Sequence, residues 1–144
     1  MILSSILKQK GSDVAHVAPA ASVAEVADVL ADRGIGAVIV LDAAQQLLGI
    51  VSERDIVRGL ARHGARVMAM TAAQLMTANP RTVPPGTSVP EAMAVMTEGR
   101  FRHLPVCDGG RLAGIVSIGD VVKARISEQD HEVDSLRAYV AGAA

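Results

Sequence analysis

Aromatic residues are almost missing from this chain of 144 residues, which has one tyrosine, one phenylalanine and no tryptophan. Any hydrophobic core must therefore be built from aliphatic side chains, and half of all residues are apolar, so there are enough of them. Small aliphatic residues suit closely packed layers of sheet and helix. The composition therefore predicts a layered domain that contains both kinds of element.

Cysteine, excess charge and long apolar runs are scarce as well. Cys107 is the only cysteine, which excludes an internal disulfide. The net charge of -1 gives no electrostatic footprint for a nucleic acid or an anionic membrane, and no apolar run approaches the roughly 20 residues of a transmembrane helix. The first residues lack the pattern of a secretory signal. We therefore expect a cytoplasmic protein that binds neither nucleic acid nor membrane.

The chain does contain an internal repeat. Gly49–Arg58, with the sequence GIVSERDIVR, returns 65 residues later as Gly114–Lys123, with the sequence GIVSIGDVVK. The alignment extends upstream at an offset of 66, with one residue missing in the turn before Gly114. A repeat of this length predicts two small modules, each near the lower size limit for a stable core. We therefore expect the two modules to pack against each other.

Each repeat unit has the pattern β-α-β-β-α. In the first unit a short extended piece precedes a helix at Val23–Arg33, which follows a serine N-cap and ends at a glycine. Two apolar strands joined by a short turn should form an antiparallel hairpin, and a last helix begins after Ser52. The second unit repeats these elements, with strands at Leu104–Cys107 and Leu112–Val116 and with Gly99 as the expected end of its first helix.

The repeat also suggests how the chain is divided. We expect the first unit with its linker over residues 1–66, the second unit over 67–126 and a helical tail over 127–144. Short helices are predicted at Ile2–Gln9 and Thr71–Met76, one before each unit. The tail has apolar residues at helical spacing, which favours an amphipathic helix that covers the pair or contacts a second subunit.

The chain resembles a tandem pair of CBS (cystathionine-β-synthase) domains, the arrangement called a Bateman module, of the stand-alone bacterial type. The resemblance rests on the doubled Gly-Ile-Val-Ser-x-x-Asp motif, on Arg102–Val106 and on Ala73–Thr77. It implies an α+β fold in which two β-α-β-β-α units pack by pseudo-twofold symmetry through their sheets, and a disc-like homodimer. It also implies clefts that bind an adenine nucleotide without a metal. AMP is the first candidate, and ADP, ATP, NAD(H) and S-adenosylmethionine are the alternatives.

A serine and an aspartate three residues apart occupy equivalent places in the two units, as Ser52 with Asp55 and as Ser117 with Asp120. A serine N-cap with an acid at the third helical position is close to a capping box, which needs no ligand. A carboxylate also suits the vicinal hydroxyls of a ribose, and the first turn of a helix attracts phosphate. The two interpretations are compatible, and with the resemblance we predict that both aspartates contact a nucleotide.

The two units differ just before their second strands. The first unit is small and neutral there, whereas the aligned segment Arg100–His103 has two arginines and a histidine. We predict that Arg102 and His103 hold phosphate beside Asp120, and that Arg54 reaches across to the same cleft. The alternatives are a basic surface turn and, for Arg54, a solvated ion pair. The Asp120 cleft is therefore predicted to bind the phosphorylated ligand more tightly than its counterpart.

In the resembling family, main-chain groups of the extended segments and strands contact the adenine. The matching residues are His16, Val17, Gly36, Ala37, Thr82, Val83, Leu104 and Pro105. His16 replaces a threonine-type residue and is alternatively an exposed strand residue. The sequence has no evident nucleophile with a base, no metal-ligand spacing and no phosphate-binding loop. We therefore predict a regulatory module that senses adenine nucleotides and is not an enzyme. The alternative is a structural dimer or a partner-binding protein with vestigial clefts and an unidentified protein target.

Overall fold

The structure is a computed structural model that describes residues 1–11 and 13–143. Its helices are α1 Leu3–Lys10, α2 Val23–Arg33, α3 Glu53–His63, α4 Ala72–Leu75, α5 Val89–Gly99 and α6 Ile118–Ala143, and a 3-10 helix lies at Gly64–Ala69. Its strands are β1 His16–Val17, β2 Ala37–Leu41, β3 Leu47–Ser52, β4 Thr77–Ala78, β5 His103–Asp108 and β6 Arg111–Ser117. Within the described ranges, no helix is both long and apolar enough to cross a membrane.

The strands form two sheets, one for each unit. The first sheet has the order β1-β2-β3-β4, and the second consists of β5 and β6. β1 runs parallel to β2, and both hairpins are antiparallel. In the second unit Val83 makes a parallel bridge to Val106, which is the counterpart of the β1-β2 pairing. The predicted β-α-β-β-α order is therefore confirmed in both units.

The residues of β2 explain how the units pack. Successive side chains of a strand point to opposite faces of the sheet. Val38 and Val40 pack with the helices of the first unit, whereas Ile39 faces the other way, in a cluster with Leu112 and Ile115 of β6. Every residue of β2 is buried as a result. The two α+β units therefore pack sheet to sheet with pseudo-twofold symmetry, as predicted.

The short helix before each unit packs on the other unit. Leu3 and Ile6 of α1 lie in the hydrophobic core of the second unit, whereas Ala72 of α4 lies in the core of the first. Contact is close enough that a Cβ built on Gly114 would lie 2.6 Å from Cδ2 of Leu7. The two units are therefore interlocked by an exchange of their leading helices.

The helices α2 and α5 end differently. Gly34 caps α2 in the left-handed conformation, with φ 61°, as expected for glycine. The helix α5 ends at Gly99 as predicted, but Gly99 is its last helical residue, and Arg100 and not a glycine takes the left-handed cap position, with φ 57°. A Cβ on Gly99 would collide with the ring of Phe101. The glycine at position 99 therefore makes room for the Phe101 ring. The left-handed conformation that follows the helix is adopted by Arg100.

Candidate functional site

Two clefts open between the units, and each combines parts of both. The Asp55 cleft, of about 510 Å³, lies between the start of α3 and the turn Gly99–Arg102. The Asp120 cleft, of about 400 Å³, lies between the start of α6 and the turn Arg33–Gly36. Both volumes are in the range of small-molecule sites. Pseudo-twofold symmetry therefore brings the helix start of one unit to the turn of the other.

Asp55 is positioned by its own helix start. Its Oδ2 accepts hydrogen bonds from the Ser52 amide at 2.8 Å and from the Ser52 hydroxyl at 3.0 Å, and the Ser52 side chain in turn caps the Asp55 amide. Its Oδ1 accepts a hydrogen bond from the Thr77 hydroxyl at 3.2 Å. The capping box is therefore real, and it also fixes a half-buried carboxylate on the wall of the cleft.

Asp120 has the same helix-capping contacts but a different neighbour. Its Oδ2 accepts hydrogen bonds from the Ser117 amide at 2.8 Å and from the Lys10 ammonium at 2.7 Å. Burial raises the pKa of the Asp120 carboxyl, but the hydrogen bonds from Lys10 and Ser117 outweigh it, so the pKa is lowered overall. The charge of Asp120 is therefore already neutralised by a residue of α1.

Replacing Lys10 with methionine is expected to raise the pKa of the Asp120 carboxyl, because burial would remain while the ammonium is lost. A lowered folded-state pKa stabilises the fold above the ordinary aspartate pKa of about 3.9, and this stabilisation is lost as the pH falls through the folded-state value. Stability near neutral pH should therefore fall in Lys10→Met, and its decline on acidification should become shallower. Carboxyl NMR titration and urea unfolding at several pH values measure both effects.

Lys8→Met is the matched control, since Lys8 is exposed two residues earlier on the same helix. It should leave the pKa of Asp120 unchanged. An Asp120 pKa that is the same in Lys10→Met and in the unaltered protein would contradict a functional ion pair.

The clefts differ in charge. Five arginines and two carboxylates line the Asp55 cleft, namely Arg54, Arg58, Arg81, Arg100 and Arg102 with Glu53 and Asp55. The described lining of the Asp120 cleft has equal numbers of cations and carboxylates, namely Lys10 and Arg33 with Asp13 and Asp120. The Asp55 cleft is therefore strongly cationic, and the Asp120 cleft is close to neutral.

The predicted grouping of Arg102 and Arg54 with Asp120 is wrong. The backbone of Arg102 does lie beside the start of α6, since its carbonyl accepts a hydrogen bond from the Ile118 amide at 2.8 Å, but Arg102 lines the Asp55 cleft and not the Asp120 cleft. Arg54 does reach across to the second unit, where it donates to the Arg100 carbonyl at 3.1 Å. This contact also lies in the Asp55 cleft. The charge asymmetry between the clefts is real, but it has the opposite sense to the predicted one.

His103 lies at the boundary between the clefts and lines both. A Cβ on Gly36 would come within 3.1 Å of its Nε2 and within 3.2 Å of the Glu53 carboxylate, so the ring packs against glycine backbone. Burial lowers the pKa of His103, and this outweighs the opposing effect of Glu53. His103 therefore offers a neutral imidazole to the clefts near pH 7, which can donate one hydrogen bond.

The other predicted site residues divide into two groups. Ser52, Gly36, Ala37 and Ser117 line the clefts, as do Asp55, Asp120, Arg54, Arg102 and His103. The side chains of Val17, Val83 and Leu104 belong to the cores, Pro105 is buried in β5, and His16 and Thr82 are exposed. None of these last six residues lines either cleft. Their predicted contact with adenine remains a prediction.

Several lining residues were missed from the sequence. Lys10 and Arg33 in one cleft and Arg58 and Arg81 in the other were not singled out, although all four line the walls. Arg58 stands four residues after Arg54, which places both on one face of α3, so that helical spacing would have found it. Lys10 has no such signal, because α1 reaches Asp120 only through its exchange between the units.

A comparison with models of protein families identifies the family of this chain. The model of the CBS domain matches residues 9–62 and again residues 72–127. The chain belongs to the CBS domain family. This confirms the predicted tandem CBS pair and its α+β architecture.

Known CBS proteins are similar to this CBS pair over most of its length. A CBS-domain containing protein from Agrobacterium tumefaciens has 45% identity and a TM-score of 0.84, with 87% of this chain and 99% of that chain covered. A CBS domain protein from Pyrobaculum aerophilum, solved in complex with AMP, has 27% identity and a TM-score of 0.74, with 83% and 89% covered.

A curated relative is longer than this CBS pair. The mitochondrial CBS domain-containing protein CBSX3 of Arabidopsis thaliana is 37% identical over 117 residues, which cover 78% of this chain and 57% of that protein. The chain therefore spans little more than half the length of this relative.

Proposed function

We propose that this CBS pair is a regulatory module that binds an adenine nucleotide, with AMP as the first candidate, and that it has no catalytic activity of its own. The observation that carries the proposal is the Asp55 cleft, which combines a fixed carboxylate with five arginines. A nucleotide has the complementary groups, a ribose diol that donates hydrogen bonds and a phosphate that accepts them. A related CBS protein from Pyrobaculum aerophilum, solved in complex with AMP, supports the same ligand class.

The Asp55 carboxylate is suited to the ribose. Its two oxygens accept from three donors of the protein, of which the hydroxyls of Ser52 and Thr77 can rotate towards other acceptors. A ribose diol can therefore replace them without breaking the amide contact that holds the carboxylate. Because Thr77 lies in β4, ligand binding at Asp55 would also change a contact between α3 and β4.

The arginines are suited to the phosphate. Guanidinium groups bind phosphate oxygens in pairs of parallel hydrogen bonds. Arg102 is exposed on the turn before β5 and Arg54 on the first turn of α3, so they approach from different units. Ile50, Pro80 and Phe101 add apolar lining for the base. A nucleotide in this cleft would therefore contact both units at once, and its binding would favour one relative placement of the units.

The Asp120 cleft is proposed to be the weaker site for a phosphorylated ligand. The Lys10 ammonium already occupies one oxygen of Asp120 at 2.7 Å, and a ribose would have to compete with it or share that oxygen. The described cations and carboxylates of this cleft are equal in number, so there is less attraction for phosphate. ADP, ATP and NAD(H) remain alternatives to AMP, as they share its ribose and phosphate, and S-adenosylmethionine shares only the adenosyl part.

We also propose that the CBS pair forms a homodimer. Val57 and Leu60 of α3 and Val122 and Ile126 of α6 are large apolar side chains on exposed helix faces, with 39% to 64% of their surfaces accessible. Large apolar side chains that are exposed together on a helix face mark contact surfaces.

Calorimetric titration and thermal unfolding with AMP, ADP, ATP, NAD, NADH and S-adenosylmethionine test the function. AMP is expected to bind at one tight site per chain and to raise the unfolding temperature by several degrees, since a ligand at 100 times its Kd stabilises the native state by about 2.7 kcal/mol. Chromatography of the recovered ligands should find them unchanged. If none of the six binds, the nucleotide function is wrong, and if any is converted, the purely regulatory role is wrong.

A further inference from the structure

The second half of α6 projects beyond the second unit. Val121 and Ala124 of α6 are buried in the core of that unit, but from residue 129 to residue 142 every described side chain is exposed. The predicted tail over 127–144 is therefore the continuation of α6 as far as Ala143, and residue 144 lies outside the described part of the chain. An isolated helix of this length is marginal in water without a packing partner.

This projecting helix has an apolar stripe with the spacing of a coiled coil. The stripe, here called the tail seam, alternates steps of three and four residues: Ile126, Gln129, Val133, Leu136 and Val140. Its four aliphatic members are between 48% and 64% exposed. At about 100° per residue, the centre of the seam lies more than a quarter turn from the face that packs on the second unit. Core packing therefore leaves the tail seam free.

We propose that the tail seam pairs with the tail seam of a second copy of this chain as a parallel, in-register, two-stranded coiled coil. The proposal does not depend on nucleotide binding. It adds a second contact to the proposed homodimer, beyond the exposed faces of α3 and α6, and it gives the orientation in which the two copies meet. A contact of a surface with its own copy closes after two subunits and leaves no open surface for further growth.

The residue types in the seam favour two parallel strands. Ile126, Val133 and Val140 occupy the a positions of the heptad, and Leu136 occupies a d position. Branched residues at a with leucine at d favour parallel dimers. Gln129 occupies the other d position, where in a parallel pair it meets Gln129 of the second copy, so that the two amides can hydrogen-bond to each other. In an antiparallel pair d faces a, and each glutamine would be buried against an aliphatic side chain.

The flanking charges favour the same second copy and the same orientation. In a parallel coiled coil a residue at position g faces the e position five residues later on the partner helix. Arg125 would then face Asp130 of the second copy, and Glu132 would face Arg137 of the second copy. Both pairs are attractive, and each occurs twice in a symmetric dimer. The helix is therefore complementary in charge to itself when parallel and in register.

Leu136→Asp and Ala138→Asp form a matched pair of tests. They add the same charge to the same helix turn, but position 138 lies on the side opposite to the seam. Sedimentation equilibrium is expected to show that Leu136→Asp raises the dimer dissociation constant at least about 100-fold over that of Ala138→Asp, because two carboxylates would face each other in the seam. Circular dichroism of both variants checks that the folds are retained. Equal dissociation constants would overturn the proposal.

A disulfide tests the orientation. Val140→Cys in a Cys107→Ala background, which contains no other cysteine, is expected to form a covalent dimer of twice 14.9 kDa on mild oxidation. A disulfide needs Cα atoms within about 7 Å, and the two copies of position 140 meet only in a parallel, in-register pair. In an antiparallel pair they would lie at opposite ends of the seam. The absence of a covalent dimer would overturn the parallel arrangement.

Discussion

Asp55→Asn is expected to weaken AMP binding by about 30- to 150-fold, whereas Asp120→Asn should change it by less than about threefold. The carboxylate of Asp55 would accept the ribose hydroxyls in the cationic cleft, and hydrogen bonds to a charged group contribute about 2–3 kcal/mol. Asparagine keeps an oxygen that can cap the helix, so both variants should retain their folds. Calorimetric titration of the two variants in parallel gives the comparison.

The two variants are close controls for each other, because both aspartates accept a serine amide at 2.8 Å and begin equivalent helices. A difference in AMP affinity between the two variants would therefore result from the difference between the clefts and not from a loss of helix capping. Arg102→Ala distinguishes the phosphate contact from the ribose contact. This variant should weaken the binding of AMP but leave the binding of adenosine unchanged, whereas Asp55→Asn should weaken the binding of both. Equal losses in the two asparagine variants would contradict the inequality of the clefts, and a larger loss in Asp120→Asn would reverse it.

The helices and strands could be predicted well from the sequence because each of them occurs twice, once in each repeat unit. The antiparallel hairpins and the helix starts at Ser52 and Ser117 follow from local spacing, and the structure contains them where the alignment put them. The strand β2 was also predicted correctly, but the sequence alone did not show which of its two buried faces meets the second unit. A strand that is covered on both faces has a continuous apolar sequence, so its sequence does not distinguish one face from the other.

The grouping of residues into clefts was harder to predict, because it depends on directions across the pseudo-twofold interface. Arg102 and Asp120 belong to one unit, and the Arg102 backbone does contact the start of α6, so grouping them was reasonable. Two facts of the fold overturn it. Arg102 lines the Asp55 cleft and is not among the residues that line the Asp120 cleft, and α1 of the other unit brings Lys10 to Asp120. Neither fact has a signal in local spacing.

The exchange of leading helices makes a prediction about stability that the linear order of the chain would not suggest. Leu3→Ala is expected to lower the free energy of unfolding by about 2–5 kcal/mol, the usual cost of a cavity at a fully buried leucine. Leu3 has no exposed surface, and it packs with Val89, Met96 and Leu104 of the second unit. Urea unfolding measures the loss, and Lys8→Ala on the same helix is the control.

Lys8 is exposed on α1, so truncation of its side chain should cost less than about 1 kcal/mol. Hydrogen exchange then locates the damage. If α1 stabilises the unit that follows it in the chain, exchange in Leu3→Ala should quicken in β2 and β3. If the exchange of helices is correct, it should quicken first in α5, β5 and β6, about 85 to 115 residues away in sequence. Because Leu3 belongs to the hydrophobic core of the second unit, we expect the second result.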